Sequence, residues 1–317
     1  MTYAYCGHSG VQLPRLSLGL WHNFGSYDSP QEAKRMILRS FEAGIVHFDL
    51  ANNYGPEPGS AECTLGRVLK NELRTHRDEL FIATKAGHDM WEGVYGKNSS
   101  RKHLFASINQ SLRRTGLEYF DVFYSHVYDG VTPIEETMQA LIDIVRSGKA
   151  LYVGISKYPP HLQKQCYEIL AEAKVPCLLS QYRHSMFDRV AQRENFAVAA
   201  EAGSGIVAFS PLAQGLLTNK YLHGIPADSR AAKSTGYLQR EQVTPELVEK
   251  ARRLNVLAQE RGQSLAQMAL AWSLSDERVT STIIGTSSVA QLEDNLATLN
   301  NLNFSPEELE LIETILQ

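Results

Sequence analysis

The chain has 317 residues, of which 43% are apolar and 21% charged, and its formal net charge is −4 with both signs interspersed. That balance is ordinary for a soluble globular protein, and the absence of a basic stripe or arm excludes a nucleic-acid partner. No apolar run approaches the roughly 20 residues that span a bilayer, so no membrane partner is expected.

In chain order, the first predicted element is a small hairpin over residues 3–13, turning at Gly7–Gly10. Its opening residues lack the basic and apolar segments of a secretory signal. Short apolar runs follow at 16–20, 45–49, 80–85, 121–125, 151–155, 177–181, 205–209 and 282–285. Amphipathic stretches lie between them. The first, 30–43, places Ala33, Ile37 and Phe41 at four-residue spacing, with Pro30 suited to a first helical turn. Further helices are predicted over 61–73, 102–115, 134–146, 161–173, 191–202, 245–260, 265–274 and 289–299. A last helix opens with the capping box Ser305-Pro306-Glu307-Glu308. The four cysteines (Cys6, Cys63, Cys166 and Cys177) show no C-x-x-C spacing and are expected as reduced thiols of a cytoplasmic protein.

Eight strands, each followed by at least one helix, predict the α/β class and a (β/α)8 TIM barrel. The hairpin would cap its bottom, and the final helix is an addition. Length alone suits about two domains, but such barrels reach this size as one, so residues 1–317 are read as a single domain. A doubly wound sheet would need its glycine-rich turn after the first strand. The one matching segment, Gly203-Ser204-Gly205-Ile206-Val207-Ala208, precedes a strand instead. Two long loops, 86–101 and 210–244, lie on the rim where barrel enzymes place function.

Three successive strands end in Asp49, Lys85 and His126, and Tyr54 follows five residues after Asp49. In a parallel barrel these strand ends share one rim. Taken singly, each residue is more often a turn, cap or surface group than a catalytic one; their spacing across consecutive strands carries the signal. Carbonyl reduction leaves charge on oxygen, and a proton must reach it. A tyrosine with a reference pKa of ~10 is a slow acid, and a nearby cation favours its phenolate. Lys85 is the candidate cation, Asp49 its anchor, Tyr54 the general acid, and His126 an orienting donor to the carbonyl oxygen. The ten histidines show no H-E-x-x-H or paired ligand spacing, so no metal is expected. A nucleophile elbow and a P-loop are also absent.

This set resembles the tetrad of the aldo-keto reductases, (β/α)8 barrels that use NADPH without a doubly wound domain. The likeness covers nearly the whole chain. It includes Phe48-Asp49-Leu50-Ala51-Asn52-Asn53-Tyr54-Gly55, Gly66-Arg67-Val68-Leu69, Val153-Gly154-Ile155-Ser156 and Phe209-Ser210-Pro211-Leu212. Segments 52–62, 85–91 and 211–217 resemble the branch holding the bacterial L-glyceraldehyde 3-phosphate reductases and the potassium-channel β subunits. The resemblance implies reduction of small aldehydes, methylglyoxal among them, and a possible homo-oligomer. It also implies cofactor contacts. Trp21 would lie beside the nicotinamide, Asp49 near it, and Ser156 and Gln181 on its carboxamide, with Tyr182 stacking on the ring. Ser210, Pro211, Leu212, Gln214 and Lys220 would line the pyrophosphate path, closed by Arg230. Gly285, Ser287, Gln291 and Asn295 would hold the adenosine end.

Two departures stand out. Lys157 occupies the place where many relatives carry Asn, and Thr286, Ser287 and Ser288 replace the usual cation near a 2′-phosphate. The substrate would meet Trp21, His22, Tyr54, Trp91, Tyr95 and His126. Lys97, Arg101 and Lys102 would either attract a substrate phosphate or simply face water behind a Ser99-Ser100 helix cap, and the second is preferred. Two rival functions remain: a regulatory β-type subunit that binds NADPH with little turnover, and a barrel isomerase or lyase. The resemblance implies that β subunits generally lack the histidine found here as His126. The Tyr/Lys pairing and missing metal ligands speak against an isomerase or lyase.

Overall fold

The computed structural model describes residues 1–55, 57–226, 229–232 and 238–317, with Arg230 described by its backbone alone. Strands β1 (Tyr3–Tyr5) and β2 (Gln12–Pro14) form the antiparallel hairpin, with Ala4 opposite Leu13. The barrel strands are β3 (Leu16–Gly19), β4 (His47–Asp49), β5 (Phe81–Ala86), β6 (Phe120–Ser125), β7 (Ala150–Ser156), β8 (Cys177–Arg183), β9 (Gly205–Phe209) and β10 (Val279–Ile284). All neighbours run parallel, and β10 returns to β3 with Thr282 opposite Leu16, so the eight-stranded sheet has no free edge. Helices α1 (Pro30–Glu42), α2 (Ser60–Asn71), α3 (Arg101–Thr115), α4 (Ile134–Arg146) and α5 (Pro160–Glu172) follow in turn. After them come α6 (Val190–Glu194), α7 (Phe196–Glu201), α8 (Pro245–Glu260), α9 (Leu265–Ser275), α10 (Val289–Leu296) and α11 (Pro306–Leu316).

The two-residue alternation of a strand explains the packing. Phe81, Ala83, Val122, Tyr124, Leu179, Val207 and Ile283 point inward and form one apolar cluster, to which the hairpin contributes Cys6 and Leu13. The hairpin thus plugs the lower end, as expected. Their neighbours Ile82, Phe123, Ile155, Ile206 and Ala208 face outward and pack in the layer between sheet and helices. Gly154 in β7 leaves space that the Tyr124 ring fills, since a Cβ there would sit 2.3 Å from the ring. Gly66 in α2 likewise permits close packing on the end of α3; a Cβ would come within 2.6 Å of the Arg114 carbonyl oxygen.

Helix ends follow their caps. Ser29, Ser100, Thr244 and Ser264 accept backbone N–H groups at the starts of α1, α3, α8 and α9, and Ser305 forms the expected capping box. Two expected helices are shorter than their apolar pattern. The one predicted over 191–202 divides at Asn195, whose backbone departs to φ −102° and whose side-chain amide donates to the Tyr158 carbonyl oxygen (2.9 Å) and Gln163 Oε1 (2.7 Å). The one predicted over 289–299 ends as α10 at Leu296 and continues as a 3-10 turn over Ala297–Asn300. No helix among the described residues is long and apolar enough to cross a membrane.

A polar chain crosses the lower barrel. His47 Nδ1 lies 2.8 Å from Ser17 Oγ, which lies 2.5 Å from Ser281 Oγ; Ser281 donates to the Pro14 carbonyl oxygen at 2.6 Å. Burial pulls the His47 pKa down to about 4 against the attraction of Asp49. His184, buried between Phe196 and Trp272, is also pulled to about 4 by burial. Below the ordinary value of 6.5, protons therefore bind the unfolded chain first. Stability is expected to be full near neutrality and to decline between about pH 6.5 and pH 4, by about 3 kcal/mol for each histidine at the acid end. Urea midpoints across that range check this. His47→Gln should flatten the decline, and a slope unaffected by that change would contradict it.

Candidate active site

The alternation that builds the core also aims the rim. Asp49 follows inward-facing His47 by two residues, and Lys85 follows inward-facing Ala83 by two. His126 extends the inward series Val122, Tyr124, and its backbone N–H donates to the Ala86 carbonyl oxygen at 2.8 Å. Tyr54 arrives by a pinned loop. Asn52 donates its backbone N–H to the Lys85 carbonyl oxygen (2.9 Å) and its side-chain amide to Ser107 of α3 (3.1 Å). Gly55 then turns at φ 86°, where a Cβ would strike Ser60 Oγ at 2.2 Å.

The four residues meet. Lys85 Nζ donates to Asp49 Oδ2 at 2.6 Å and to the Leu50 carbonyl oxygen at 2.6 Å, and lies 3.4 Å from Tyr54 Oη. Asp49 Oδ1 accepts from Gln181 Nε2 at 2.9 Å, so both carboxylate oxygens are engaged. The Lys85–Asp49 pair is buried, and burial draws the ammonium below the ordinary lysine range, with Asp49 opposing. The Tyr54 ring lies edge-on to His126 at 5.8 Å and 6.1 Å from Trp21, which in turn lies 4.3 Å from His22. His126 is held neutral: burial, and then the Lys85 and Lys157 charges, push its pKa well below the usual range. Its Nδ1 is buried without a hydrogen-bond partner among the described residues.

A second group of expected residues gathers nearby. Leu212, Lys220, Gln291 and Asn295 line one cavity of about 240 Å³. Gln291 Oε1 accepts from Ser287 N (2.8 Å) and Oγ (3.0 Å), so Ser287 stands at the same helix start. Gly285 faces open space. In the loop after β9, Ser210, Ala213 and Gln214 hold left-handed backbones at φ 55°, 47° and 60°, with Gln214 Nε2 3.4 Å from Ser210 Oγ. Such strain is typical of ligand-holding loops. Ser156 Oγ and Asn295 Nδ2 are buried without partners among the described residues. Two orphan polar groups, a loop cation and a cavity at a helix start fit a dinucleotide lying from the barrel mouth toward α10. The Arg230 side chain lies outside the described residues.

The expectation for Tyr182 needs correction. Tyr182 is buried in the outer layer, 6.4 Å from Phe196, and faces away from the mouth. Because Gln181 turns inward, its neighbour must turn out. A ring that points into the barrel at the end of β9 is Phe209, which packs on the inner cluster; its place two residues after inward Val207 was the available signal. Trp91 stacks on His103 of α3 at 4.9 Å, and Tyr95 carries Lys102 Nζ above its ring at 5.1 Å. Arg101 pairs with Asp143, and Lys97 with Asp89 at 3.1 Å. The basic residues of this loop therefore serve the surface, and Ser100 caps α3, as the preferred reading has it. Two residues not assigned a site role from the sequence also face the tetrad. His88 lies edge-on to His126 at 4.4 Å, and its Nε2 is 2.9 Å from Lys157 Nζ.

Comparison with known proteins agrees with this geometry. The profile of the aldo/keto reductase family matches residues 15–317. An L-glyceraldehyde 3-phosphate reductase of Escherichia coli O157:H7 is 52% identical over 99% of this chain and 92% of its own length. Its counterpart from strain K12 is 51% identical over the same shares. A probable voltage-gated potassium channel subunit beta of Oryza sativa subsp. japonica is 32% identical over 100% of this chain and 97% of its own. The chain belongs to the aldo/keto reductase family and is an oxidoreductase acting on carbonyl groups.

Proposed function

We propose that this protein reduces small aldehydes to alcohols with NADPH, glyceraldehyde 3-phosphate and methylglyoxal being candidate substrates, and that Tyr54 is the general acid. The observation that carries this reading is the buried ammonium of Lys85, anchored on Asp49 and 3.4 Å from Tyr54 Oη. A cation at that distance favours the phenolate and so eases release of the phenolic proton. His126, kept neutral, donates through its second nitrogen to the carbonyl oxygen and holds it against Tyr54. Trp21 closes one side of the cleft and keeps water from the reacting carbon.

The nicotinamide cofactor supplies the hydride. Ser156 would hold its carboxamide, Phe209 would pack against its ring, Lys220 would meet the pyrophosphate, and Ser287, Gln291 and Asn295 would hold the adenosine. A 2′-phosphate would rest on hydroxyls and backbone amides at the start of α10, since Thr286, Ser287 and Ser288 stand there. Comparing kcat/KM for NADPH and NADH tests the cofactor assignment. The expected result is a clear NADPH preference of about tenfold or more, the worth of one charge-assisted hydrogen bond. Equal values would remove NADPH from the account.

A further inference from the structure

The mouth of the barrel holds a cation that the tetrad does not use. Lys157 sits just beyond the end of β7 with its backbone in the left-handed region at φ 60°, unusual for a lysine. Its backbone N–H donates to the Gln181 carbonyl oxygen at 3.1 Å, which fixes the turn. The side chain reaches across the mouth to His88 Nε2 at 2.9 Å, and no carboxylate among the described residues pairs with it. The neighbouring charges add to the positive field. Arg183 lies close by, 3.9 Å from Asp188 and over the Phe209 ring, and Asp49 is already committed to Lys85 and Gln181. Burial in the mouth, then repulsion from Lys85 and Arg183, pull the Lys157 pKa to about 8, although its outer face remains exposed. His88 is pulled to about 4 by burial and by Lys157, so it is neutral and accepts one ammonium hydrogen. Two N–H groups of Lys157 remain to be filled.

We propose that Lys157, steadied by His88, is the subsite that takes the anionic group of the substrate, so that the preferred substrates are short aldehydes carrying a phosphate. The placement suits this role. His88 touches His126 edge-on at 4.4 Å, and His126 faces Tyr54 at 5.8 Å. Lys157 is thus joined to the tetrad through His88 and His126, on the side of the mouth where the anionic end of a short substrate would lie with its carbonyl at Tyr54. The loop cations Lys97, Arg101 and Lys102 do not compete, because each is engaged on the outer surface. This inference rests on the reductase reading and names its substrate class.

The test uses Lys157→Asn, which tolerates the left-handed backbone and removes the charge, and Lys157→Arg, which keeps it. At saturating NADPH, Lys157→Asn should lower kcat/KM for glyceraldehyde 3-phosphate by about 30-fold, through KM, and lower that for unphosphorylated glyceraldehyde by far less. Lys157→Arg should restore most of the difference. Inorganic phosphate gives a readout without cofactor or turnover: it should shift the His88 imidazole NMR signals saturably in the parent protein and not in Lys157→Asn. Equal losses on both aldehydes, a raised KM for NADPH in their place, or a phosphate response that survives Lys157→Asn would overturn the proposal. If the parent protein reduces no aldehyde, the reductase reading fails on its own, and the phosphate titration still decides the role of Lys157.

Discussion

Replacing Tyr54 by Phe should lower the rate of a single turnover by about 10³-fold while leaving the fold intact. The substitution removes one hydroxyl from a ring that still packs between Trp21 and His126. The carbonyl oxygen then has His126 as an orienting donor but has lost the acid that Lys85 primes. Because the change falls on the reacting step, kcat and kcat/KM should drop together, and cofactor affinity should stay near that of the parent. Stopped-flow reduction of an aldehyde by preloaded protein measures this. A variant as fast as the parent would assign the proton to another group.

Lys85→Met is expected to damage both chemistry and stability. Lys85 is buried, and its ammonium bonds Asp49, the Leu50 carbonyl oxygen and Tyr54. Methionine fills similar volume but leaves Asp49 buried with Gln181 as its remaining partner. Breaking a buried pair from one side costs about 3–5 kcal/mol. The phenol also loses its cation and becomes a weaker acid that stays protonated to higher pH, so the remaining reductase activity should be low and should fall off only at a more alkaline pH than in the parent. Asp49→Asn/Lys85→Met should recover part of the stability without the activity, since the uncompensated charge is gone. Urea melts of the single and double variants, alongside their pH–rate profiles, separate the two effects. If the single variant is as stable as the parent, the pair does not carry the role given to it.

Much of this was legible in the sequence because strands alternate. Once 80–85 and 121–126 are read as barrel strands, Lys85 and His126 face inward by parity, and eight apolar runs with intervening helices leave few other topologies. The same parity, applied to β8, separates Gln181 from Tyr182: inward Gln181 forces Tyr182 outward, while Phe209, two residues after Val207, turns inward at the end of β9. What the sequence hides depends on contacts between distant segments. The helix divides at Asn195, where the side-chain amide is held by Tyr158 and Gln163, more than thirty residues away, a pairing that no local propensity encodes. The Lys157–His88 contact joins residues 69 apart in the chain, so neither one signals it alone.

An aldehyde is expected to take its hydroxyl proton at this tetrad while NADPH is consumed. The most direct measurement loads the protein with one equivalent of NADPH, mixes it with excess glyceraldehyde 3-phosphate, and follows cofactor absorbance and product together. Loss of NADPH matched by an equal amount of alcohol is expected in the parent protein, and almost none in Tyr54→Phe. NADPH that stays bound and unconsumed in the parent, as in a subunit that only senses it, would contradict the account.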